Sequence, residues 1–323
     1  MSDPDEALAA AYAALGLDPP QRPEVVRTVR DLRARLDRGE PGGYGLDAPA
    51  RALVMTMGAL HEGHAALMRG ARDWLVTRYD LDEPDEADVV VSIFVNPTQF
   101  GPGEDYERYP RTFDEDLAVC REAGVDLVFA PSAEEMHPAD GGGITVDPGP
   151  LGDELEGAVR PGHFRGVLTI VNKVINLVEP DAALFGEKDY QQLTLVRRMA
   201  RDLRMAVDIV GVPTVRTPGT ALALSSRNRY LTDEQRAQAR MIPVVLATAQ
   251  EALEAGMDVA HVEQGLRAQL EAADGVDAVD YLVVRDPDLG PAPAQGEARV
   301  LVAARVGGVR LIDNVMAVIG ESA

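Results

Sequence analysis

From Arg51 onward, short apolar runs alternate with segments whose apolar residues recur at helical spacing. The runs are ALVMTM, DVVVSIFV, DLVFAP, DAALF and VDIVGVPTV, and helical patterns such as HAALMRGARDWL and KDYQQLTLVRRMARDL lie between them. Continuous apolar strands of this kind are typical of parallel sheets that are covered on both faces. Residues 51–214 are therefore predicted to form a Rossmann-like, doubly wound parallel α/β domain, with ligands at the carboxyl ends of its strands.

The pattern changes on both sides of this domain. In residues 1–50, the apolar positions recur at roughly helical spacing, which predicts a polar, helical N-terminal extension; they are Val25, Val26, Val29, Leu32 and Leu36. After the loop RTPGTALALSSRNRYL come two helical segments, TDEQRAQARMIPVVLATAQEALEAG and HVEQGLRAQLEAAD. Three strand-like runs follow, VDYLVVRD, ARVLVAARV and VRLIDNVMAV. Residues 215–323 are therefore predicted to be a second, smaller α+β domain.

Composition and charge narrow the range of partners. Hydrophobic residues make up 46% and charged residues 26% of the chain, as in soluble globular proteins. The formal net charge of −22 disfavours nucleic acid and anionic membranes. The acidic beginning lacks the basic residues of a signal peptide, and no apolar run reaches about 18 residues, so a cytoplasmic protein is expected. The single Cys120, in a helix-like segment, is interpreted as a buried small hydrophobe.

The stretch VMTMGALHEGHAAL places His61 and His64 three residues apart at the predicted start of a helix, after a turn at Gly58. A helix start has unpaired N–H groups and a partial positive charge, which suit a phosphate, and Gly63 would let a ligand approach the backbone. A zinc site is a weaker interpretation, because tetrahedral zinc needs three or four ligands and the sequence has no cysteine cluster and no other histidine pair. Two surface histidines without a function are the remaining alternative.

Lys188, in GEKDYQQLTLVRRMARDL, is predicted to lie at or just before a helix start. A cation there opposes the helix dipole at a cost of about 0.3–1 kcal/mol, which a bound anion would offset. Gln192 follows one helical turn later, so an ammonium and an amide would point toward one spot. The alternative is that Lys188 pairs with Glu187 or Asp189 in solvent.

Two further segments carry polar groups that suit a ligand. In ALALSSRNRYLT, two serines adjoin Arg227, whose guanidinium suits a bidentate contact with phosphate, although such residues are also ordinary turn formers. In SIFVNPTQFG, Asn96 and Gln99 follow a buried strand, and their amides would suit a small hydroxylated carboxylic acid; a polar turn is the alternative. The pairs Thr112 with Glu115 and Thr232 with Gln235 predict capping boxes.

Longer motifs resemble those of the pantothenate synthetase (pantoate–β-alanine ligase) family, within the H-x-G-H nucleotidyltransferase-like superfamily. In order, they are TMGALHEGH, SIFVNPTQFGPGEDYERYPRT, LEGAVRPGHFRGV, FGEKDYQQL and LALSSRNRYL, then YLVVRD and RLIDN. The resemblance spans roughly Arg51 to Asn314. It implies that ATP and (R)-pantoate give pantoyl adenylate and pyrophosphate, and that β-alanine then gives pantothenate and AMP. It also implies Mg²⁺ as a cofactor and a homodimer.

Carried over by position, the resemblance assigns a role to each matching residue. Catalysis would fall to His64, the family's acid, with His61, Lys188 and Arg227. Pantoate would bind Gln99 and Gln192, with Asn96 beside them, and Gln99 would also border the β-alanine site. The residues implied to contact ATP are Met57, Gly58, Ala59, Leu60, His61, Glu62, Gly63, His64, Gly186, Glu187, Lys188, Asp189, Val215, Leu224, Ser225, Ser226 and Arg227.

The chain departs from the family pattern at several places, and rival functions stay open. Met55 stands where the family usually has proline, which is interpreted as a change in strand geometry rather than in chemistry. The acidic segment around residues 79–88 is longer than usual, and RTPGTALALSSR contains one extra residue.

Three rival functions are considered. They are another adenylyl-transferring member of the superfamily, a tRNA synthetase and a nonenzymatic nucleotide sensor. The tRNA synthetase has the least support, because the anticodon-binding domain is missing.

Overall fold

The computed structural model describes residues 23–37, 49–81, 87–139 and 143–321 of the chain. Six strands form a sheet in the order β1-β4-β3-β2-β5-β6, and every neighbouring pair is parallel. The strands are β1 (Glu24–Val26), β2 (Ala50–Thr56), β3 (Ala87–Ile93), β4 (Leu127–Phe129), β5 (Ala182–Gly186) and β6 (Asp208–Val212). The predicted doubly wound parallel sheet is confirmed.

Helices cover both faces of this sheet. They are α1 (Val29–Leu36), α2 (Glu62–Tyr79), α3 (Phe113–Glu122), α4 (Ala133–Met136), α5 (Glu156–Val159), α6 (His163–Val178) and α7 (Tyr190–Asp202). Successive strand residues point to opposite faces, so Leu53 joins the core formed with α6 and α7, whereas Val54 joins the core formed with α2 and α3. Burial on both faces explains why the inner strands β2 to β5 are largely apolar.

The first described residues belong to the sheet and do not continue one long helix. Glu24–Val26 pairs in parallel with β4 as an edge strand, and α1 begins only after Thr28, whose hydroxyl accepts a hydrogen bond from the Asp31 N–H. The helix predicted across this whole segment is therefore wrong at its start. Three residues are too few for a strand period to stand out, and the helical spacing belongs to Val29, Leu32 and Leu36. The rest of the predicted extension, residues 1–22 and 38–48, lies outside the described residues.

The C-terminal part contains a separate antiparallel sheet in the order β7-β8-β9. Its elements are α8 (Asp233–Gln238), α9 (Met241–Glu254), α10 (Val259–Glu271), β7 (Val276–Arg285), β8 (Gly296–Val306) and β9 (Val309–Ile319). The first predicted helix is thus two helices, because Pro243 has no N–H to donate to the Ala239 carbonyl and the chain restarts there. The outer face of this sheet packs on α9 and α10, while Tyr281, Leu301 and Ala303 join the core of the larger sheet.

The structure also bears on the two predicted capping boxes, on Cys120 and on membrane-spanning helices. Thr232 and Gln235 form the predicted capping box at α8. Thr112 does not cap α3; its hydroxyl instead donates to Asp116 at 3.2 Å, so that predicted capping box is wrong. Cys120 is fully buried, as expected, and burial raises the pKa of its thiol to about 12. Among the described residues, every helix is too short or too polar to cross a bilayer. Part of the acidic segment, residues 82–86, lies outside the described residues.

Candidate functional site

The predicted site residues gather at the carboxyl ends of β2, β3, β5 and β6. The strand β2 lies at the centre of the sheet, and the chain proceeds to β3 on one side and later to β5 on the other. The connections that leave β2 and β5 therefore part at this point and open a crevice, the usual ligand position in such sheets. The H-x-G-H segment follows β2, and the Lys188 segment follows β5.

The turn between β2 and α2 is held by a buried carboxylate. Ala59 adopts a left-handed backbone conformation (φ 51°), which is unfavourable for a residue with a side chain. Asp116, on α3, accepts hydrogen bonds from the N–H groups of Ala59 at 3.1 Å and Leu60 at 2.7 Å. Those bonds offset the backbone strain. In the sequence, Asp116 is one of several acids at a helix start, so pattern alone does not reveal this role.

The two histidines cap the helix α2 reciprocally. His61 Nδ1 accepts a hydrogen bond from the Gly63 N–H at 3.1 Å, and His64 Nδ1 accepts one from the His61 N–H at 3.2 Å. An Nδ1 that accepts is unprotonated, so the proton of each neutral ring is on Nε2. A Cβ on residue 63 would lie 2.9 Å from His61 Cε1, which gives the ring itself as a reason for Gly63. Both rings thus keep an Nε2–H donor for a ligand.

Burial keeps both histidines neutral. It lowers the pKa of His61 to about 4, with Lys188 and Arg229 adding to the shift. It lowers the pKa of His64 to about 3, with the neighbouring His61 and Lys188 adding. A third histidine, His163, has its pKa lowered to about 4 by burial and by Arg160. These rings are hydrogen-bond donors near neutral pH and not cations.

We expect the stability of the protein to fall as the pH decreases below about 6.5, the ordinary histidine pKa. The folded-state pKa values of His61, His64 and His163 lie below that value, so the unfolded chain binds more protons in this range. The free energy of unfolding should be highest above about pH 6.5 and should decline by up to about 1.4 kcal/mol per pH unit for each histidine. Urea unfolding between about pH 5 and about pH 7.5 measures this slope.

His163→Gln tests the contribution of one buried histidine to this slope and should reduce the pH dependence. A flat stability profile in the unmodified protein would contradict the expectation.

Lys188 lies in a 3-10 turn, Glu187–Asp189, directly before α7, as the sequence predicts. Its ammonium is 3.4 Å from Asp189 Oδ1, but the side chain is only 17% exposed and lines a pocket. The Lys188–Asp189 ion pair is therefore not a fully solvated surface pair. Glu187 turns away and pairs with Arg299 at 2.9 Å, so its side chain does not reach the ligand side.

The segment after β6 returns to the same place. Val215 and Leu224 are joined by a hydrogen bond from the Leu224 N–H to the Val215 carbonyl at 2.9 Å, and Arg216 bridges to Ala223. This hairpin takes up the extra residue of RTPGTALALSSR and still keeps Val215 at the pocket. Arg227 follows in the 3-10 turn Ser226–Tyr230 and lies 3.7 Å from Asp105.

Two of the pockets in the crevice share a wall, and we name them after one residue each. The Gln99 pocket lies under β2 and β3 and is lined by Met55, Thr56, Met57, His64, Ser92, Phe94, Asn96, Gln99, Tyr109, Arg160, His163, Val167, Ile170, Val171, Val174, Phe185, Asp189, Gln192 and Arg227. The Lys188 pocket lies beside β5 and β6 and is lined by Met55, Met57, His61, Gly63, His64, Leu67, Tyr109, Leu184, Phe185, Gly186, Lys188, Asp189, Gln192, Val212, Pro213, Thr214, Val215, Leu224, Ser225, Ser226 and Arg227.

The shared wall brings the predicted groups together. His64, Gln192 and Arg227 line both pockets, with Tyr109 and Asp189 beside them. A molecule in the Gln99 pocket would therefore meet one in the Lys188 pocket at these side chains. Among the described residues, no protein partner is found for the Gln192 amide, so it is available to a ligand.

A hydrogen-bonded network that sequence reasoning missed sets the position of Gln99. The Gln99 carbonyl accepts from His163 Nδ1 at 2.8 Å, and the other nitrogen of that ring is 3.0 Å from an Arg160 nitrogen. Arg160 in turn makes a bidentate pair with Glu104, both contacts at 2.8 Å. The motif LEGAVRPGHFRGV supplied the only signal for this network, through the family resemblance.

Asn96 supports Gln99 through hydrogen bonds of its side-chain amide. Its amide nitrogen donates to Gln99 Oε1 at 3.2 Å and to the Gly166 carbonyl at 3.2 Å, and its Oδ1 lies 2.9 Å from His137 Nε2. A Cβ at residue 166 would be 2.3 Å from the Thr98 carbonyl, so only glycine allows α6 to approach so closely. These bonds occupy the Asn96 amide and orient Gln99.

Some of the residues implied to bind ATP do not line either pocket. Gly58, Ala59 and Leu60 form the tight turn behind the histidines. Glu62 is exposed on α2 and pairs with Arg69. Met57 does line both pockets, and the Gln99 amide nitrogen is 3.0 Å from its sulfur.

Met55 lies at the carboxyl end of β2, where the register of β2 on β3 continues without a break through Met55 and Thr56. The Met55 side chain lines both pockets. Its position at the carboxyl end of a central strand decides this, whichever residue stands there.

The described residues contain no group of three or more His, Cys, Asp or Glu that could hold a metal ion. The zinc interpretation of the histidine pair therefore has no further ligands in the described part of the chain. Each histidine also uses Nδ1 for its cap. A hydrated Mg²⁺ makes different demands, because it is usually held by substrate phosphates and one or two carboxylates.

The fold and this site define the class of doubly wound α/β proteins that hold a ligand between strand ends and an H-x-G-H turn. The family model described as pantoate-beta-alanine ligase matches residues 24–316. The chain belongs to this family.

Related proteins agree with that assignment. Pantothenate synthetase of Nocardioides sp. is 56% identical over 90% of this chain and 82% of its own length, and that of Mycolicibacterium smegmatis is 54% identical over 84% and 82%. A solved structure of pantothenate synthetase from Thermus thermophilus has a TM-score of 0.78 and 46% identity, covering 90% of this chain and 98% of that one. Pantoate-β-alanine ligase from Francisella tularensis, solved in complex with βγ-ATP and β-alanine, has a TM-score of 0.69 and 29% identity, covering 91% and 97%.

Proposed function

We propose that the protein catalyses the ATP-dependent condensation of pantoate with β-alanine to pantothenate through a pantoyl adenylate. The observation that carries this proposal is the junction of the two pockets at His64, Gln192 and Arg227. A carboxylic acid in the Gln99 pocket and ATP in the Lys188 pocket would bring the carboxylate next to the α-phosphate there. Such positioning can supply much of the rate enhancement of a two-substrate reaction.

In the first step, a carboxylate oxygen of pantoate would attack the α-phosphorus. The new P–O bond forms as the bond to the β-phosphate oxygen breaks, and pyrophosphate leaves with that electron pair. The carboxylate is already ionised at neutral pH, so no base is needed. The chain would supply donors and cations to the phosphate oxygens: Lys188, Arg227 and the Nε2–H groups of the histidines.

In the second step, the unprotonated amine of β-alanine would attack the acyl carbon. The bond from that carbon to the phosphate oxygen would break, AMP would leave with its electron pair, and the nitrogen would lose one proton to solvent. Gln99 and Gln192 would keep the acyl group in place while pyrophosphate and amine exchange. The apolar side of the Gln99 pocket, formed by Phe94, Val167 and Ile170 among others, would fit the branched carbon skeleton of pantoate and exclude water.

Mg²⁺ would bind mainly to the phosphates of ATP and to water, and would neutralise part of their charge. Asp189, which lines both pockets and is half-exposed, is the carboxylate of the Lys188 turn that could complete its shell. A homodimer and a cytoplasmic location stay predictions. Light scattering of the purified chain would measure the first of these.

Isotope exchange tests the reaction. We expect labelled pyrophosphate to enter ATP when pantoate alone is present, and AMP to accumulate only when β-alanine is added. Exchange without pantoate, or AMP release without an amine, would contradict the proposal. A requirement for a mononucleotide or a phosphopantetheine acceptor would favour the rival adenylyltransferase, and binding of ATP with no turnover would favour a sensor.

Gln192→Ala should weaken pantoate binding about 10–100-fold, the scale of roughly 1.5–3 kcal/mol for hydrogen bonds to a charged group, and should change ATP affinity much less. The amide has no protein partner among the described residues and lines the junction of the pockets. Calorimetry with each ligand separately measures both effects, and equal losses would contradict the assignment.

The neighbouring residue supplies the contrast. Gln191 accepts from the Glu156 N–H at 3.0 Å and donates to the Leu151 and Glu154 carbonyls at 2.8 and 2.9 Å. Gln191→Ala should therefore lower the melting temperature, because buried backbone groups lose their partners. A stability loss in Gln192→Ala of similar size would place Gln192 among the structural residues.

A further inference from the structure

The motif RLIDN near the end of the chain places two buried polar residues, Asp313 and Asn314, in the middle of β9. They are only 3% and 4% exposed. Neither lines the Gln99 pocket or the Lys188 pocket, although both border a smaller pocket beside Lys188, Gln192 and Arg227. Their side-chain hydrogen bonds are nevertheless made to other protein groups. Both bond to segments that do form the Lys188 pocket.

Asn314 holds the turn that carries Lys188. Its amide nitrogen donates one hydrogen bond to the Glu187 carbonyl and one to the Lys188 carbonyl, each at 2.9 Å. Both protons of the amide are thereby used, and both bonds are to main-chain atoms of the same 3-10 turn. Few side chains of this size could replace that pattern, since it needs two donors on one atom.

Asp313 ties the same strand to another segment of the pocket lining. Its carboxylate makes a bidentate pair with Arg216 at 2.7 and 2.9 Å, and its Oδ1 also accepts from the Asn314 N–H at 2.7 Å. Arg216 belongs to the hairpin whose Val215 and Leu224 line the Lys188 pocket. Adjacent residues of β9 therefore bond two segments that line the Lys188 pocket.

We propose that Asn314 is a positioning residue for Lys188: held by Asp313 against the Arg216 hairpin, it fixes the Glu187–Lys188 turn and so sets where the ammonium lies in the pocket. The inference rests on the proposed function for its rate measurement. It goes beyond that function, because it gives the C-terminal sheet a part in the first step. The two-donor pattern makes the amide specific, since a carboxylate would direct two acceptors at two carbonyl oxygens.

The test is a double-mutant cycle that joins Asn314 to Lys188, with single-turnover formation of the adenylate as the readout. Asn314→Ala should lower the rate about 10–100-fold, the scale of a catalytic group displaced by about 1 Å. Asn314→Asp should be at least as slow. In a Lys188→Ala background, Asn314→Ala should change the rate less than about threefold, because the group it positions is gone.

A purely structural role predicts a different result. With such a role, Asn314→Ala would lower the melting temperature, and the rate losses of Asn314→Ala and Lys188→Ala would multiply in the double variant. That result overturns the proposal. An Asn314→Ala variant that forms the adenylate at the rate of the unmodified protein overturns the proposal as well. If Asn314→Ala does not fold, Asn314→Ser, which keeps one donor, enters the same cycle, and multiplicative losses there overturn the proposal equally.

The control is Asn176→Ala, on the exposed side of α6. The Asn176 amide also makes two hydrogen bonds, to the Asn172 carbonyl and side chain at 2.8 and 3.1 Å, so the truncation is matched. It should leave the adenylation rate unchanged.

Failure of the proposed function is recognised separately. If the unmodified protein shows no pantoate-dependent exchange, the same cycle is measured on the affinity for ATP by calorimetry. A loss on Asn314→Ala that disappears in the Lys188→Ala background supports the positioning role there, and independent losses overturn it.

Discussion

Lys188→Ala should lower the rate of adenylate formation about 10²–10³-fold, or roughly 2.7–4 kcal/mol, the effect of removing one preorganised donor from a developing charge. The ammonium is held at the start of α7 in a largely buried turn, on the wall that it shares with Gln192. Its charge would stabilise mainly the negative charge that develops as pyrophosphate departs. The affinity for ATP should therefore fall much less than the rate. Rapid-quench measurement of a single turnover separates the two quantities.

The fold should not suffer from this change. A cation at a helix start opposes the dipole, and the ion pair of Lys188 with Asp189 is half in solvent. The free energy of unfolding should therefore stay within a few tenths of a kcal/mol of its original value. A lysine without a catalytic role would leave the adenylation rate nearly normal, and that result would remove Lys188 from the transition state.

The chain contains one other lysine, which makes a natural control. Lys173 donates to the Met136 carbonyl at 2.7 Å and lines neither the Gln99 pocket nor the Lys188 pocket. Lys173→Ala should keep the adenylation rate and lose about 1 kcal/mol of stability, the usual size of one hydrogen bond. The two alanine variants should thus show opposite patterns of rate and stability.

Two substitutions of His64 should separate its structural bond from its catalytic one. In His64→Asn, the amide oxygen can take the place of Nδ1 and keep the bond from the His61 N–H, but the donor at the Nε2 position is lost. We expect about a 10²–10³-fold slower adenylation with little change in stability. In His64→Gln, the amide nitrogen can replace Nε2 while the cap is lost, so we expect a milder rate loss and about 1 kcal/mol less stability.

The pH dependence of the rate distinguishes a neutral donor from an acid. Burial, His61 and Lys188 lower the pKa of His64 to about 3, so the ring carries no charge to lose above that range. The adenylation rate should therefore not decline between about pH 6 and about pH 8 on account of His64. A decline across this interval that is absent in His64→Gln would show that the ring acts as an imidazolium, which contradicts the tautomer inferred from its cap.

Much of the architecture could be predicted from local patterns. Strands β2 to β5 are largely apolar because they are covered on both faces, whereas the edge strand β6 is only partly buried; the sequence marks all five as apolar runs. The start of α2 at Glu62 and of α7 at Tyr190 follows from turn glycines and helical spacing. Because parallel strands end at one edge, the sequence also predicts that His61, His64, Lys188 and Arg227 meet there, and the structure places all four around the Lys188 pocket.

Other features depend on partners that are distant in the chain. The strand β1 forms only because β4 offers it an edge, about a hundred residues later, and its three residues carry no period of their own. Asp116 resembles an ordinary helix-start acid until the Ala59 and Leu60 amides are seen against it. The same is true of Arg160 and His163, whose bonds reach Glu104 and the Gln99 carbonyl.

The amino-acid sequence by itself therefore determined the parallel α/β class, the strand ends that carry the site and the kind of chemistry present there. Tertiary structure alone decided which ring nitrogen of each histidine carries the proton, which amide faces a ligand and which is used internally, and that β9 holds the Lys188 turn. The physical reason is the range of the interactions. Periodicity and helix starts arise from neighbours within one or two turns, whereas burial and side-chain hydrogen bonds are fixed only when distant segments pack together.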